Sequence, residues 1–187
     1  MTAKAYRWSG VAKFADALAA GQFARDKIKV FVKEFPELVA RYGDNLDILQ
    51  KVNVIVETNP QTLARMESNG VNATWGIGFD VMSDEVNQLV KFSDLVPASG
   101  KVNIRVHPRL LENETATVAV IFHEFHEIAQ MEKLMGNGKM TKAHILDYLD
   151  SIPVRPGEAA RGGAYHREAA AFESLLAGWL KISNDVL

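Results

Sequence analysis

The chain has 187 residues, of which 48% are hydrophobic and 24% charged, and its net charge is −2. That length suits a single domain with a sizeable core, and the near-neutral balance supplies no broad basic field to recruit nucleic acid or anionic lipid. Cysteine is absent, which removes disulfides, thiolate nucleophiles and cysteine-based zinc sites, so a metal would have to be held by His, Asp and Glu.

In chain order, the first ~45 residues read as helical by apolar periodicity. "VAKFADALAAG" is an amphipathic segment expected to stop at its glycine. "FARDKIKVFVKEFPELVARYG" follows and is expected to divide at Pro36. "KVNVIVET" (Lys51–Thr58) alternates and is rich in Val and Ile, which predicts a strand. "NPQTLARMES" predicts a short helix opened by Asn59 and Pro60. "ATWGIGFDVM" predicts a second strand, interrupted by glycines, and "SDEVNQLVKF" a helix with a Ser/Asp start. "KVNIRVH" (Lys101–His107) alternates as a third strand and ends at Pro108.

The helical segment "ENETATVAVIFHEFHEIAQMEKLMGNG" comes next, capped by Asn113 or Thr115 and stopped by Gly136 or Gly138. "TKAHILDYLDSI" predicts a further short helix, "PVRPGEAARGG" a loop, and "AYHREAAAFESLLAGWLKI" a long amphipathic helix. The order predicts a single α+β domain over residues 1–187. A small sheet of about three strands packs with an active-site helix and C-terminal helices in a core over residues 50–187, with a helical part over residues 1–45.

No apolar segment reaches the roughly 20 residues of a membrane helix, and "MTAKAYRWSGVAKFADALAAGQ" lacks the features of a signal peptide. The expected location is the cytoplasm, or outside the cell by a route independent of a signal peptide. No P-loop, nucleophile elbow or dinucleotide fingerprint is present.

Chemistry concentrates in "AVIFHEFHEIAQ", which holds two of the chain's five histidines. With His123 at zero on a helix of about 100° per residue, Glu127 lies about 40° to one side, His126 about 60° to the other and Glu124 about 100° round. His123 and Glu127 are therefore neighbours one turn apart, able to converge on one ion, with Glu124 beside them. This is the spacing of H-E-x-x-H, in which two ligands hold zinc and the intervening Glu is the general base. Glu127 replaces the second histidine, and a carboxylate oxygen is an acceptable zinc ligand. His126, at i+3, is an alternative second ligand or a supporting residue. The rival reading of the string is an ordinary solvated polar stripe. Against it stands the preceding "VAVIF", apolar all round, which predicts a deeply packed helix.

A third ligand has to come from elsewhere, and "AYHREAAAFE" is the best source. His166 ranks first, beside the small residues Ala169 and Ala170. Glu173 and Glu168 are substitutes, although Glu173 lies roughly 10 Å further along the helix than His166. Trp75 reads as a buried strand residue, with the lining of a substrate cleft as the alternative.

The layout of alternating strand, helix with an apolar lead into H-E, and later ligand-bearing helix resembles the zincin metallopeptidases. "VAVIFHEFHEIAQ" resembles their active-site helix. "HREAAAFESLL" resembles the later helix, which in gluzincin-like members supplies a Glu. The chain is more similar still to small bacterial toxin or effector domains with an H-E-x-x-E helix and a later histidine, here in "GGAYHREA". The resemblance spans about Lys101 to Leu180. It implies a zinc-dependent hydrolase of peptide bonds, with His123, Glu127 and His166 as ligands and Glu124 as base; another divalent metal fits the carboxylate-rich set as well. The implied partner is a peptide or protein substrate, with Tyr165, Arg167 and Arg161 as candidates for oxyanion stabilisation. The rival from another class is a non-catalytic interaction module on a degenerate scaffold of this type.

Overall fold

The computed structural model describes residues 6–42, 46–75, 89–95, 100–136, 138, 140–141 and 164–185. Helix α1 spans Ala17–Glu34 and α2 Pro36–Tyr42, followed by a 3-10 turn at Leu46–Lys51. Strand β1 (Val52–Val56), helix α3 (Pro60–Ser68), strand β2 (Ala73–Trp75), strand β3 (Leu89–Val90) and the short helix α4 (Phe92–Leu95) come next. Strand β4 (Val102–Val106), a 3-10 turn at Pro108–Glu112, helix α5 (Glu114–Met135), strand β5 (Met140–Thr141) and helix α6 (Ala164–Asp185) complete the order. The chain is α+β, with a small three-stranded mixed sheet among several helices.

β4 is the central strand. It pairs in parallel with β1, Val54 opposite Ile104, and antiparallel with β2, Trp75 opposite Ile104. Val52, Val54, Val102, Ile104 and Val106 face the core, while Asn103 and Arg105 alternate outward. That is the period-2 pattern read from the sequence. Asn53 and Asn103 are joined by a side-chain hydrogen bond of 3.1 Å across the parallel pair.

Two expectations need correction. Gly21 does not end the first helix: α1 begins at Ala17, capped by the Asp16 carboxylate on Ala19 N–H, and runs through Gly21 to Glu34. The glycine serves close approach, since a Cβ there would stand 3.1 Å from Val54 Cγ2. The run "SDEVNQLVKF", expected to be helical, ends in a strand, because Leu89 and Val90 pair with Thr141 and Met140. Its earlier part, the helix expected at "TKAHILDYLDSI" beyond Thr141, the glycine- and proline-rich loop after it, and the strand expected beyond Trp75 lie outside the described residues. The break at Pro36 and the helix at Pro60 form as expected; Asn59 caps the latter by accepting from Gln61 and Thr62 N–H.

One hydrophobic core joins these elements. α1 contributes Ala24, Ile28 and Phe31, α5 contributes Phe122, Phe125 and Ile128, and α6 contributes Leu176, Ala177 and Leu180. Phe31 meets Phe122 edge-on at 5.6 Å and Trp179 at 5.6 Å. The Trp179 indole N–H also donates to Glu34, tying α6 to α1. The N-terminal segment is pinned along the start of α5: Lys13 N–H donates to Leu111 O, Gly10 N–H to Glu112, and Asn113 Nδ2 to Arg7 O. Among the described residues, no helix is long and apolar enough to cross a membrane.

Candidate functional site

α5 starts where Asn113 accepts from Ala116 N–H and stops at Gly136, whose φ of 54° suits only glycine without strain. Between these ends it is buried on nearly every side. His123 and Glu124 are each 9% exposed, Glu127 4% and His126 0%. The solvated-stripe reading therefore fails, and four ionisable side chains sit inside the protein. Such groups are costly to bury unless each finds a partner, and here partners come from β2 and α6, with the N-terminal segment bracing α6.

His123 Nδ1 lies 2.9 Å from Glu173 Oε2 on α6, and its Nε2 lies 3.2 Å from Glu127 Oε1. The other oxygen of Glu127 accepts the Trp75 indole N–H at 3.1 Å. The other oxygen of Glu173 accepts the Tyr6 hydroxyl at 2.8 Å. The result is a continuous chain of hydrogen bonds running Tyr6, Glu173, His123, Glu127, Trp75. Glu124 accepts the backbone N–H of Trp75, so the end of β2 supports both carboxylates. Nearby, the fully buried His126 has Nε2 3.2 Å from Glu168 Oε2, with the Phe172 ring 5.0 Å away centre to centre.

Charge state follows from this packing. Burial favours the neutral imidazole of His123, but hydrogen bonds to Glu127 and Glu173 and the negative charges of Glu124 and Glu127 outweigh it, and the pKa is pushed up to about 10. For Glu124, burial is the main cause of a pKa raised to about 8, with the Glu127 charge adding to it. The positive His123 and the Trp75 N–H oppose that rise. Burial and the Glu173 carboxylate also hold the Tyr6 phenol well above its ordinary range. At neutral pH the cluster thus carries a protonated His123 between two carboxylates, with Glu124 neutral.

The helices cross the seam antiparallel: His123 meets Glu173, and three residues later His126 meets Glu168. The first turn of α6 therefore runs past the Glu127–Gln130 end of α5. The side chains of Tyr165 and His166 lie outside the described residues, as does Arg161, and Arg167 is exposed. Glu173, weighed from sequence as a substitute ligand or support, sits at Nδ1, on the opposite side of the ring from Glu127. It therefore does not share a cage with Nε2 and Glu127. Glu168 partners His126 instead. His126 is not an exposed residue but a core one.

Among the described residues, no three His, Asp or Glu side chains form a ready group for a metal ion. The two nitrogens of one imidazole face away from each other, so only His123 Nε2 and Glu127 Oε1 converge. Their 3.2 Å spacing does fit two donors of one tetrahedral ion, which stand about 3.3 Å apart when each bond is about 2.0–2.1 Å. Glu173 on Nδ1 also fits the carboxylate–histidine–metal arrangement, in which an outer carboxylate fixes the tautomer that leaves Nε2 as the donor. The described residues thus supply two donors and their supports.

Sequence spacing placed His123, Glu124 and Glu127 together, and gave no sign of Tyr6 or of the direct bond from Trp75. Nothing local marks Tyr6, which lies 167 positions from its partner. Comparison of the chain with protein-family models, with curated proteins and with solved structures found no match.

Proposed function

We propose that this chain is a metal-dependent hydrolase of peptide bonds, similar in design to the zincins. His123 Nε2 and Glu127 would hold a divalent ion, zinc above all, with His166 as the third donor from the first turn of α6. The single observation that carries the reading is the His123–Glu127 pair. Two donors are buried 3.2 Å apart, each with its second polar atom anchored, by Glu173 and by Trp75. The direction of Nε2, toward the end of α5 that the first turn of α6 passes, supports His166 in that role.

When bound, such an ion polarises a carbonyl and lowers the pKa of a water molecule. The chain's own residues do the rest. Glu124, beside the pair on α5 and held by the Trp75 backbone N–H, would be ionised once a bound cation offsets the Glu127 charge that raises its pKa, and would then take a proton and return it to the leaving amine. Glu173 keeps the proton of His123 on Nδ1, and Tyr6 keeps Glu173 turned toward it. The buried walls of α5 exclude bulk water, which strengthens each of these interactions.

Metal content and peptide cleavage of the purified protein test this directly. One bound zinc per chain, cleavage of peptide mixtures, and loss of cleavage in Glu124→Gln with zinc retained are the expected results. Protein purified without chelators that holds no metal, takes up none, and has the same melting temperature with and without zinc would overturn the proposal, because a ligand of the folded state must stabilise it.

A second reading rests on a specific observation as well. The network partners its buried charges on its own, with an imidazolium between Glu127 and Glu173. On that reading the cluster fixes the α5–α6 seam of a non-catalytic interaction module. The metal-free outcome would favour it.

A further inference from the structure

A cavity of about 390 Å³ opens between α3 and the outward face of the sheet. Its lining combines Arg65 of α3, Arg105 of β4 and Glu57 at the end of β1 with Thr62, Thr74 and Trp75. Trp75 is common to both places, since its indole N–H holds Glu127 while the residue also lines this cavity. Trp75 is therefore the residue through which the cavity and the candidate site adjoin.

The charges select the ligand. Two guanidinium groups face one carboxylate, which leaves one unit of positive charge in a chain whose net charge is −2. Glu57 is largely committed elsewhere: Oε1 accepts both Thr58 and Asn59 N–H at 2.8 Å, and the residue is 6% exposed. Its Oε2 lies 3.8 Å from Arg105 Nη1, close enough to orient the guanidinium but beyond a good hydrogen bond. The Asn59 N–H, despite opposing burial, together with the Thr58 N–H and the charges of Arg105 and Arg65, holds its carboxyl below the usual range, so it stays ionised and keeps Arg105 in place. The Arg105 side chain is 50% exposed, which leaves its planar fork accessible to a second carboxylate, the geometry that guanidinium groups bind best.

We propose that this cavity is a specificity subsite that receives an acidic side chain of the peptide, held between Arg65 and Arg105 with a hydroxyl donor at Thr62. The inference rests on the hydrolase reading for its substrate class, and it adds which sequences are chosen. The cavity has the size of an ordinary ligand pocket, and an extended peptide advances about 3.3 Å per residue.

Binding separates this inference from the hydrolase reading. In Glu124→Gln protein supplied with zinc, calorimetry would compare capped heptapeptide mixtures that differ only in a fixed Glu, Gln or phosphoserine. The expected result is about tenfold tighter binding of the Glu mixture than the Gln mixture, with that preference lost in R65Q and in R105Q. Melting temperatures within a few degrees of the parent protein would show that both variants fold. Equal binding of the Glu and Gln mixtures, no binding of either, or binding of the phosphoserine mixture alone would overturn the subsite. If the wild-type protein cleaves nothing while the Glu preference stands, the hydrolase reading falls and the cavity remains a receptor for acidic peptides. Cleavage without an acidic preference leaves the opposite.

Discussion

His123 and Glu173 face each other across the α5–α6 seam, with Nδ1 2.9 Å from Oε2. That carboxylate decides which ring nitrogen carries the proton and so which one is left to bind an ion. Glu173→Gln keeps the shape but removes the charge. It should lower zinc affinity about 10- to 100-fold, the usual effect of losing such an outer carboxylate, as read by competition with a chelator. Tyr6→Phe, one bond further out, should have a smaller effect of the same sign. Unchanged affinity in Glu173→Gln would show that Nδ1 is not the anchored nitrogen.

pH should act in opposite directions on the empty and the loaded protein. The His123 pKa rises from 6.5 to about 10 on folding, so its contribution is complete below pH 6.5 and fades as pH climbs through 10. Glu124, raised from 4.5 to about 8, acts with the same sign, because the folded state holds its proton more tightly than the unfolded chain. Chelator-treated protein should therefore melt at a lower temperature at pH 9 than at pH 6.5. The melting increment produced by zinc should instead grow with pH, since ligands must be deprotonated to bind. A zinc increment that is larger at pH 6 than at pH 8 would exclude His123 as a ligand.

Glu124→Gln separates a catalytic from a structural role. It replaces a group that is costly to ionise in its buried position with a neutral amide of the same size. Cleavage should fall by about 10²- to 10⁴-fold, the range attributed to a general base. The metal-free variant should melt no lower than wild type at pH 9, where the buried carboxyl is ionised. A large loss of stability at that pH would make Glu124 a structural acceptor first.

Trp75→Phe keeps the ring in the core and removes the N–H on Glu127 Oε2. A buried carboxylate oxygen would then lack its donor, at a cost of about 1–3 kcal/mol. Urea unfolding of the metal-free protein would read it. A change below about 0.5 kcal/mol, the range of neutral surface substitutions, would show that this bond does not anchor Glu127.

Phe122 tests whether the site's scaffold and the N-terminal helices share one core. It is fully buried, and it touches Phe31 of α1 and Phe172 of α6. Phe122→Ala should cost about 3–5 kcal/mol, with α1 and α5 melting in one transition by hydrogen exchange. Separate transitions would make residues 1–45 an independent extension.

Much of the fold was legible because its signals are local. β1 and β4 alternate, Asn59 and Asn113 cap helices, Pro36 divides one, and "VAVIF" announces a helix buried all round. Gly21 misled because its role is set by Val54, 33 positions on in sequence and 3.1 Å from where a Cβ would stand. Leu89 and Val90 follow a helical pattern but take their structure from pairing with Thr141 and Met140. The site divides the same way. Spacing alone put His123, Glu124 and Glu127 together, because one helical turn fixes their relation. Matching Glu173 to His123 and Glu168 to His126 requires the sliding register of two antiparallel helices. That register, along which Ala169, Leu176 and Ala177 are buried, has no period in the sequence that would reveal it.

The antiparallel seam also sets when the protein becomes competent. His123 and Glu127 precede residues 164–185 in the order of synthesis. The His123–Glu173 and His126–Glu168 contacts join positions 50 and 42 apart, so the cluster stays open on one side until α6 docks. The cluster therefore gains its second wall only when α6 docks on α5.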